Sequence, residues 1–240
     1  MIKISIIIPV LNSHRVVRRQ LKHFKAMNLP DFIEIILMDD GSYPPLKPML
    51  KNHPVKNLNI YATGDTRPWT QPCAKNMGAQ IAVGKYLLIT DIDHILSREL
   101  IKEAEQFNGD KMEFYRQFAV LTNKGKITQH PTTLFKYGFD QTRYKKRGLY
   151  VYRHTNSFVM KKQIFEDIGM YPPRLCKLGK HNIYDDNILF HRYRKHVEAG
   201  HCKPSVFAKN PIFVFPAAGI DPLGLFHKLN REKNNALQKS

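Results

Sequence analysis

Cysteine is scarce in this 240-residue chain: Cys73, Cys176 and Cys202 stand far apart and form no C-x-x-C pair. An odd, widely spaced set argues against a disulfide framework. Cys176 with His181, and His201 with Cys202, lack a second pair at finger spacing, so isolated reduced thiols are expected rather than zinc ligands. Long apolar runs are also missing. The longest, residues 4–11, is broken by Ser5 and Pro9 and falls far short of the about 20 residues that span a bilayer. With no cleavage-site pattern behind it, the expectation is a cytoplasmic protein that touches a membrane, if at all, peripherally at the inner face. No Gly/Ser/Pro-rich linker and no internal repeat interrupts the chain, which reads as one continuous domain over 1–240. Acidic residues are few, 20 against 38 Lys and Arg, leaving a net charge of +18. Nucleic acid, an acidic membrane surface, a phosphorylated glycan or a nucleotide would each answer that sign, and a basic surface kept for solubility is the alternative.

What is present is an ordinary globular composition, 42% hydrophobic and 24% charged, which excludes disorder, collagen and a coiled coil. Residues 4–10 are β-branched and almost continuously apolar, the pattern of a strand buried on both faces of a parallel sheet. A helix follows, with Ser13 as N-cap and Val17, Leu21 and Phe24 at i, i+4 and i+7. Further strands are expected at 33–38, 58–62 and 86–90, with helices at 75–83 and about 97–107. That alternation over the first hundred residues predicts a parallel, nucleotide-binding type of α/β sheet. Beyond it the pattern is mixed: a strand at 112–121, a turn at Asn123-Lys124-Gly125, a strand at 158–160, helices at 162–168 and 185–199, and a basic terminal helix at 223–235.

Acidic residues gather at three places. Asp39-Asp40 and Asp91-Ile92-Asp93 close predicted strands, and ligand crevices in open α/β sheets lie beyond the carboxyl ends of strands. Read as extended chain, Asp91 and Asp93 at i and i+2 project to one side and converge on a hard cation, or on a cation and a sugar hydroxyl. A solvated acidic turn is the alternative. Asp185-Asp186 opens a helix, where backbone N–H groups and the dipole hold a carboxylate, so capping and catalysis are both open to it.

At this point the chain resembles the family 2 glycosyltransferases of GT-A fold. The resemblance rests on an ordered set: Pro9-Val10-Leu11-Asn12 as the turn after the first strand, Asp39-Asp40-Gly41-Ser42 after the second, Lys75-Asn76-x-Gly78, Ala82-x-Gly84 and Tyr86 before Asp91 and Asp93, then Met160-Lys161-Lys162, Phe165 and Gly169, then Asp185-Asp186-x-x-Leu189-x-x-Arg192. It covers residues 4 to about 200. Asp185 stands where the family usually has Glu. No Q-x-x-R-W motif or membrane helix is seen, which sets aside the processive synthase branch, and residues 213–228 match no family motif.

The resemblance implies an α/β GT-A, Rossmann-like nucleotide-diphospho-sugar transferase fold with a single mixed central sheet flanked by helices. Residues 1–108 form the nucleotide-sugar half and 109–240 the acceptor half. It implies metal-dependent, inverting transfer from a nucleoside diphosphate sugar, with uridine as the expected base, to a hydroxyl acceptor. Pro9, Asn12, Asp39, Asp40 and Asp91 would recognise the donor, with Arg67 and Lys75 on the diphosphate. Asp91 and Asp93 would hold Mn2+ or Mg2+, His227 being a further candidate ligand, while His94 is read as loop packing. Asp186 would take the acceptor's proton, with Asp185 as the fallback. Arg143, Lys145, Lys146 and Arg147, in an aromatic-interleaved basic stretch, are expected to bind an anionic acceptor: a cell-envelope glycan, a lipid-linked saccharide, or nucleic acid carrying a hydroxyl-modified base. A solvated loop is the plain alternative. The rival readings are a two-metal nuclease or nucleic-acid-binding protein and a non-catalytic GT-A module.

Overall fold

The computed structural model describes residues 1–64, 71–121, 127–128, 153–172, 185–210 and 212–214. The described residues of the first half run β1 (Ile4–Val10), α1 (His14–Met27), β2 (Ile33–Asp39), α2 (Leu46–Met49), β3 (Leu58–Ala62), α3 (Gln71–Ile81), β4 (Tyr86–Ile89), β5 (His94–Ile95) and α4 (Arg98–Gln106). The second half adds β6 (Glu113–Leu121), β7 (Ile127–Thr128), β8 (Arg153–Lys161), α5 (Lys162–Asp167), α6 (Asp185–Glu198), β9 (Val206–Phe207) and β10 (Ile212–Val214). All these strands join one sheet ordered β3-β2-β1-β4-β8-β6-β10-β5, with β7 and β9 paired to β6. The strands β3, β2, β1 and β4 are parallel, and β8 enters antiparallel beside β4.

Every residue of β1 and β2 is buried, which explains their near-continuous apolar sequence. Alternate side chains of β1 serve opposite layers. Ile4, Ile6 and Ile8 pack with Val17, Leu21 and Phe24 of α1 and with Leu100 and Ile101 of α4. Ile7 faces Ala74 and Ala79 of α3, in a cluster that includes Phe165 of α5 and Leu189 and Tyr193 of α6. The approach of α3 to β1 is close: a Cβ on Gly78 would stand 2.6 Å from Ile7 Cγ2. Ser13 takes the N-cap position of α1, but its hydroxyl donates to the Leu11 carbonyl instead of accepting from the helix. The helix stops at Asn28, whose left-handed backbone (φ +48) donates to Lys25. At α4, by contrast, the Ser97 hydroxyl accepts the Leu100 N–H at 3.1 Å.

The first crossover leads from β1 outward to β2 and β3, and the chain then returns across β1 to β4. The strand order therefore reverses between β1 and β4, the switch point at which such sheets open a ligand crevice at their carboxyl edge. Because β8 runs antiparallel to β4, pairing Phe158 with Ile89, residues 156–157 also lie at that edge. The terminal helix expected at 223–235 and the turn at 123–125 lie outside the described residues.

Candidate active site

The wall beside β1 and β2 is a self-bonded turn. Asp39, 3% exposed, accepts the Ser42 N–H on Oδ1 (2.9 Å) and the Leu46 N–H on Oδ2 (2.8 Å). Asn12, with φ +49, accepts from the Tyr43 N–H at 2.8 Å, and its own N–H donates to Ser42 Oγ. Gly41 supplies a φ of +86 that its neighbours would adopt only with strain. Asp40 is buried and accepts from Thr63 Oγ1 of the loop after β3 at 3.3 Å. Pro9 is buried within β1 opposite Met38. These residues shape the crevice wall where the donor is expected, and Asp39 and Asn12 also hold the turn together.

The acidic pair after β4 is held by a turn and not by extended chain, which corrects the i, i+2 expectation. β4 ends at Ile89, and the His94 N–H donates back to the Asp91 carbonyl at 3.1 Å. Asp91 is pinned from both sides, accepting Gln71 Nε2 on Oδ1 at 2.9 Å and Asn156 Nδ2 on Oδ2 at 3.0 Å. His94 is buried, its Nδ1 at 2.8 Å from Ser157 Oγ and 3.2 Å from Thr90 Oγ1. Its backbone carbonyl accepts from Gln20 of α1 at 2.6 Å. The other ring nitrogen points to Asp93, with Nε2 3.9 Å from Oδ1. Burial lowers the His94 pKa, Asp91 opposes that and Lys75 adds to it, so the neutral ring is favoured. Ligand atoms of Asp91, Asp93 and His94 lie within 4.8 Å of one another. Loop packing and membership of the acidic cluster thus coincide in His94.

The third acidic site stands at the start of α6. Asp186 Oδ1 accepts Tyr171 Oη at 3.0 Å and pairs with Lys75 Nζ at 3.3 Å. The Lys75 side chain is 0% exposed and Asp186 12%, and the ammonium also lies 5.0 Å from the Tyr171 ring centroid. Lys75, expected on the diphosphate, fastens α3 to the first turn of α6. Its charge also adds to the lowering of the His94 pKa. Tyr171 is itself fixed by Asn76, which exchanges two hydrogen bonds with its backbone. Arg192 ends on the carbonyls of Gly169 and Met170, closing the same loop.

The structure brings Asp39, Asp40, Asn12, Asp91, Asp93, Lys75 and Asp186 to one edge of the sheet and its adjoining helix ends. Asp185 is the first residue of α6, but its side chain lies outside the described residues, as do Arg67, His227, Arg143, Lys145, Lys146 and Arg147. Sequence reasoning missed Gln71, Asn156, Ser157 and Tyr171. Only His94 carried a signal, its adjacency to Asp93.

A parallel sheet with its switch point at an acidic crevice, continued by antiparallel strands, defines the GT-A class of nucleotide-sugar transferase folds. Solved structures agree. Staphylococcus aureus TarS residues 1–349 superpose with a TM-score of 0.59 at 15% identity, covering 97% of this chain and 65% of that one. A complex of the same TarS fragment with UDP-GlcNAc gives 0.58 at 16% identity over 89% and 58%. The mannosyltransferase PcManGT of Pyrobaculum calidifontis, in complex with GDP-Man and Mn2+, gives 0.58 at 14% identity over 95% and 60%. The profile of the family described as Glycosyl transferase family 2 matches residues 5–169, and the chain belongs to that family. Among curated relatives, glycosyltransferase GlyG of Streptococcus pneumoniae serotype 4 (strain ATCC BAA-334 / TIGR4) is 27% identical over 103 residues, 43% of this chain and 34% of GlyG. The chain thus spans about a third of that relative. Among the described residues no helix is long and apolar enough to cross a membrane.

Proposed function

We propose that the protein transfers a sugar from a nucleoside diphosphate donor, with uridine as the expected base, to a hydroxyl acceptor with inversion at the anomeric carbon. The observation that carries this reading is the convergence of the Asp91/Asp93/His94 cluster and Asp186 at the switch-point edge, linked through buried Lys75. Two carboxylates and a neutral imidazole suit a divalent ion such as Mn2+ or Mg2+. When bound there, that ion would offset the negative charge that develops on the departing diphosphate. Asp93 and Asp91 would hold it, with Gln71 and Asn156 fixing the orientation of Asp91.

Asp186 is positioned as the general base. Lys75 and Tyr171 both engage Oδ1, which fixes the carboxylate plane at the helix start. The acceptor hydroxyl would lose its proton to Asp186 as its oxygen attacks from the face opposite the diphosphate. The acceptor is read as a cell-envelope or lipid-linked saccharide. The GDP-Man and Mn2+ in the complex of the fold neighbour PcManGT and the UDP-GlcNAc bound to TarS support the donor side of this account. Using a labelled nucleotide sugar and a panel of lipid-linked saccharide, glycan and hydroxymethylated duplex DNA acceptors, Asp186→Asn should lower transfer roughly 100-fold or more. Asn keeps a capping side chain but leaves the buried Lys75 ammonium without its carboxylate, so the melting temperature should fall as well, by roughly 6–12 °C. Near wild-type transfer by the folded variant, assayed well below its melting temperature, would make Asp186 a structural partner of Lys75 and sink its role as base, and transfer to DNA alone would replace the saccharide acceptor.

A further inference from the structure

The first 30 residues contain no Asp or Glu, and neither do residues 41–64. Within that span α1 carries Arg15, Arg18, Arg19, Lys22 and Lys25. Its apolar face is spent on the core through Val17, Leu21, Phe24 and Met27. Arg15, Arg18, Lys22 and Lys25 are all exposed, and at 100° per residue they form one stripe along the opposite side. The segment 46–53 continues the patch with exposed Lys47 and Lys51, and Arg18 reaches Met49 Sδ at 3.3 Å to join the two. The cations are close enough to act on one another. Arg19 is held below its ordinary value by burial and by Arg15, and His53 by burial and by Lys25.

We propose that this face of α1 and the 46–53 segment seats the protein on an anionic lipid surface. Along α1 no aromatic is exposed on which bases could stack. At the amino end of α1 the picture changes. Tyr43, 87% exposed, is tied there by the Asn12 side chain, and the neighbouring Pro44 carbonyl meets the His14 ring at 2.6 Å. An exposed tyrosine beside a cationic stripe suits the headgroup layer, where an amphipathic ring has one apolar and one wet side. Arg15 and Tyr43 lie at the carboxyl edge of the sheet, while Lys22 and Lys25 continue along α1 towards the amino edge, so docking would lay this flank of the molecule, with the crevice at one end, against the membrane. Contact is electrostatic and shallow, because the apolar face of the helix stays in the core.

The test is co-sedimentation of the full chain with phosphatidylcholine vesicles and with phosphatidylcholine–phosphatidylglycerol vesicles, alongside calorimetry of duplex DNA. The wild type should bind the anionic vesicles, release them at high salt and ignore the neutral ones. Each neutralised cation should weaken binding roughly fivefold, so Arg15→Gln/Arg18→Gln/Lys22→Gln/Lys25→Gln should lose roughly 100-fold or more while keeping its melting temperature. A control with Lys195→Gln and Lys203→Gln, in and just after α6 on the opposite layer of the sheet, should bind nearly as the wild type does. Absence of wild-type binding to anionic vesicles overturns the proposal, as does a quadruple variant that binds unchanged. Tighter binding to duplex DNA that is lost in the same variant replaces the membrane with nucleic acid. Donor binding is read separately, so a failed docking test leaves the transferase reading standing.

Discussion

Replacing Lys75 with methionine keeps most of the buried volume and removes the charge that holds Asp186. The pair is 3.3 Å apart with Lys75 wholly enclosed and Asp186 12% exposed, so little water can take the ammonium's place. Removing one partner of such a pair costs roughly 3–5 kcal/mol. The residual exposure of Asp186 and the surviving Tyr171 hydrogen bond argue for the lower end, about 3 kcal/mol. For a chain of this size that is a fall of roughly 6–12 °C in melting temperature. The sign of the double variant is the sharper result. Lys75→Met/Asp186→Asn leaves no uncompensated carboxylate, so it should be more stable than Lys75→Met alone, and the cycle should return a coupling of about 2 kcal/mol or more. Urea melts of the four proteins measure it. A Lys75→Met protein as stable as the wild type, or additive single effects, would refute the inference that this ion pair clamps α3 to α6.

Two further perturbations follow from packing and charge. Gly78→Ala puts a methyl group 2.6 Å from Ile7 Cγ2 and 3.1 Å from Met38 Cγ; overpacking between α3 and β1 should cost about 1–3 kcal/mol in a urea melt, and a neutral or stabilising result would mean that helix and sheet can part without strain. Glu113 has its pKa raised from 4.5, first by burial and then by Glu103, against Lys111. The folded chain therefore holds that proton more tightly than the unfolded one, and stability from this group is full below 4.5 and is lost as pH climbs through the raised value. Glu113→Gln should flatten that part of the melting-temperature profile, and an unchanged slope would assign it elsewhere.

Much of the first half was legible because its signals are local. The apolar run of β1, the i, i+4, i+7 spacing of α1 and the acidic residues at strand ends each announce themselves within a few positions. The strands β5 and β9, two residues each, and the four-residue α2 have no room for a period, and they form because the sheet edge and the Asp39 turn recruit them. The acidic residues of the site could be found from position along the chain, but their partners could not. Lys75 meets Asp186 across 111 residues and Asn156 meets Asp91 across 65, pairings that exist only once α6 packs in the layer of α3 and the antiparallel β8 lies beside β4. The burial of Lys75 and its pairing with Asp186 were hidden for the same reason, since a lysine in a motif gives no sign of its burial.

In the proposed transferase a donor nucleotide and a divalent ion meet at Asp93 on the switch-point edge, with Asp186 reserved for the acceptor. Calorimetric titration of UDP and GDP, with and without Mn2+, into the wild type, Asp93→Asn and Asp186→Asn tests it most directly. Binding of a nucleoside diphosphate should require the metal, vanish or weaken steeply in Asp93→Asn because a hard cation loses an anionic oxygen ligand, and persist in Asp186→Asn. Equal affinity in Asp93→Asn and the wild type, or binding indifferent to Mn2+, would contradict the account.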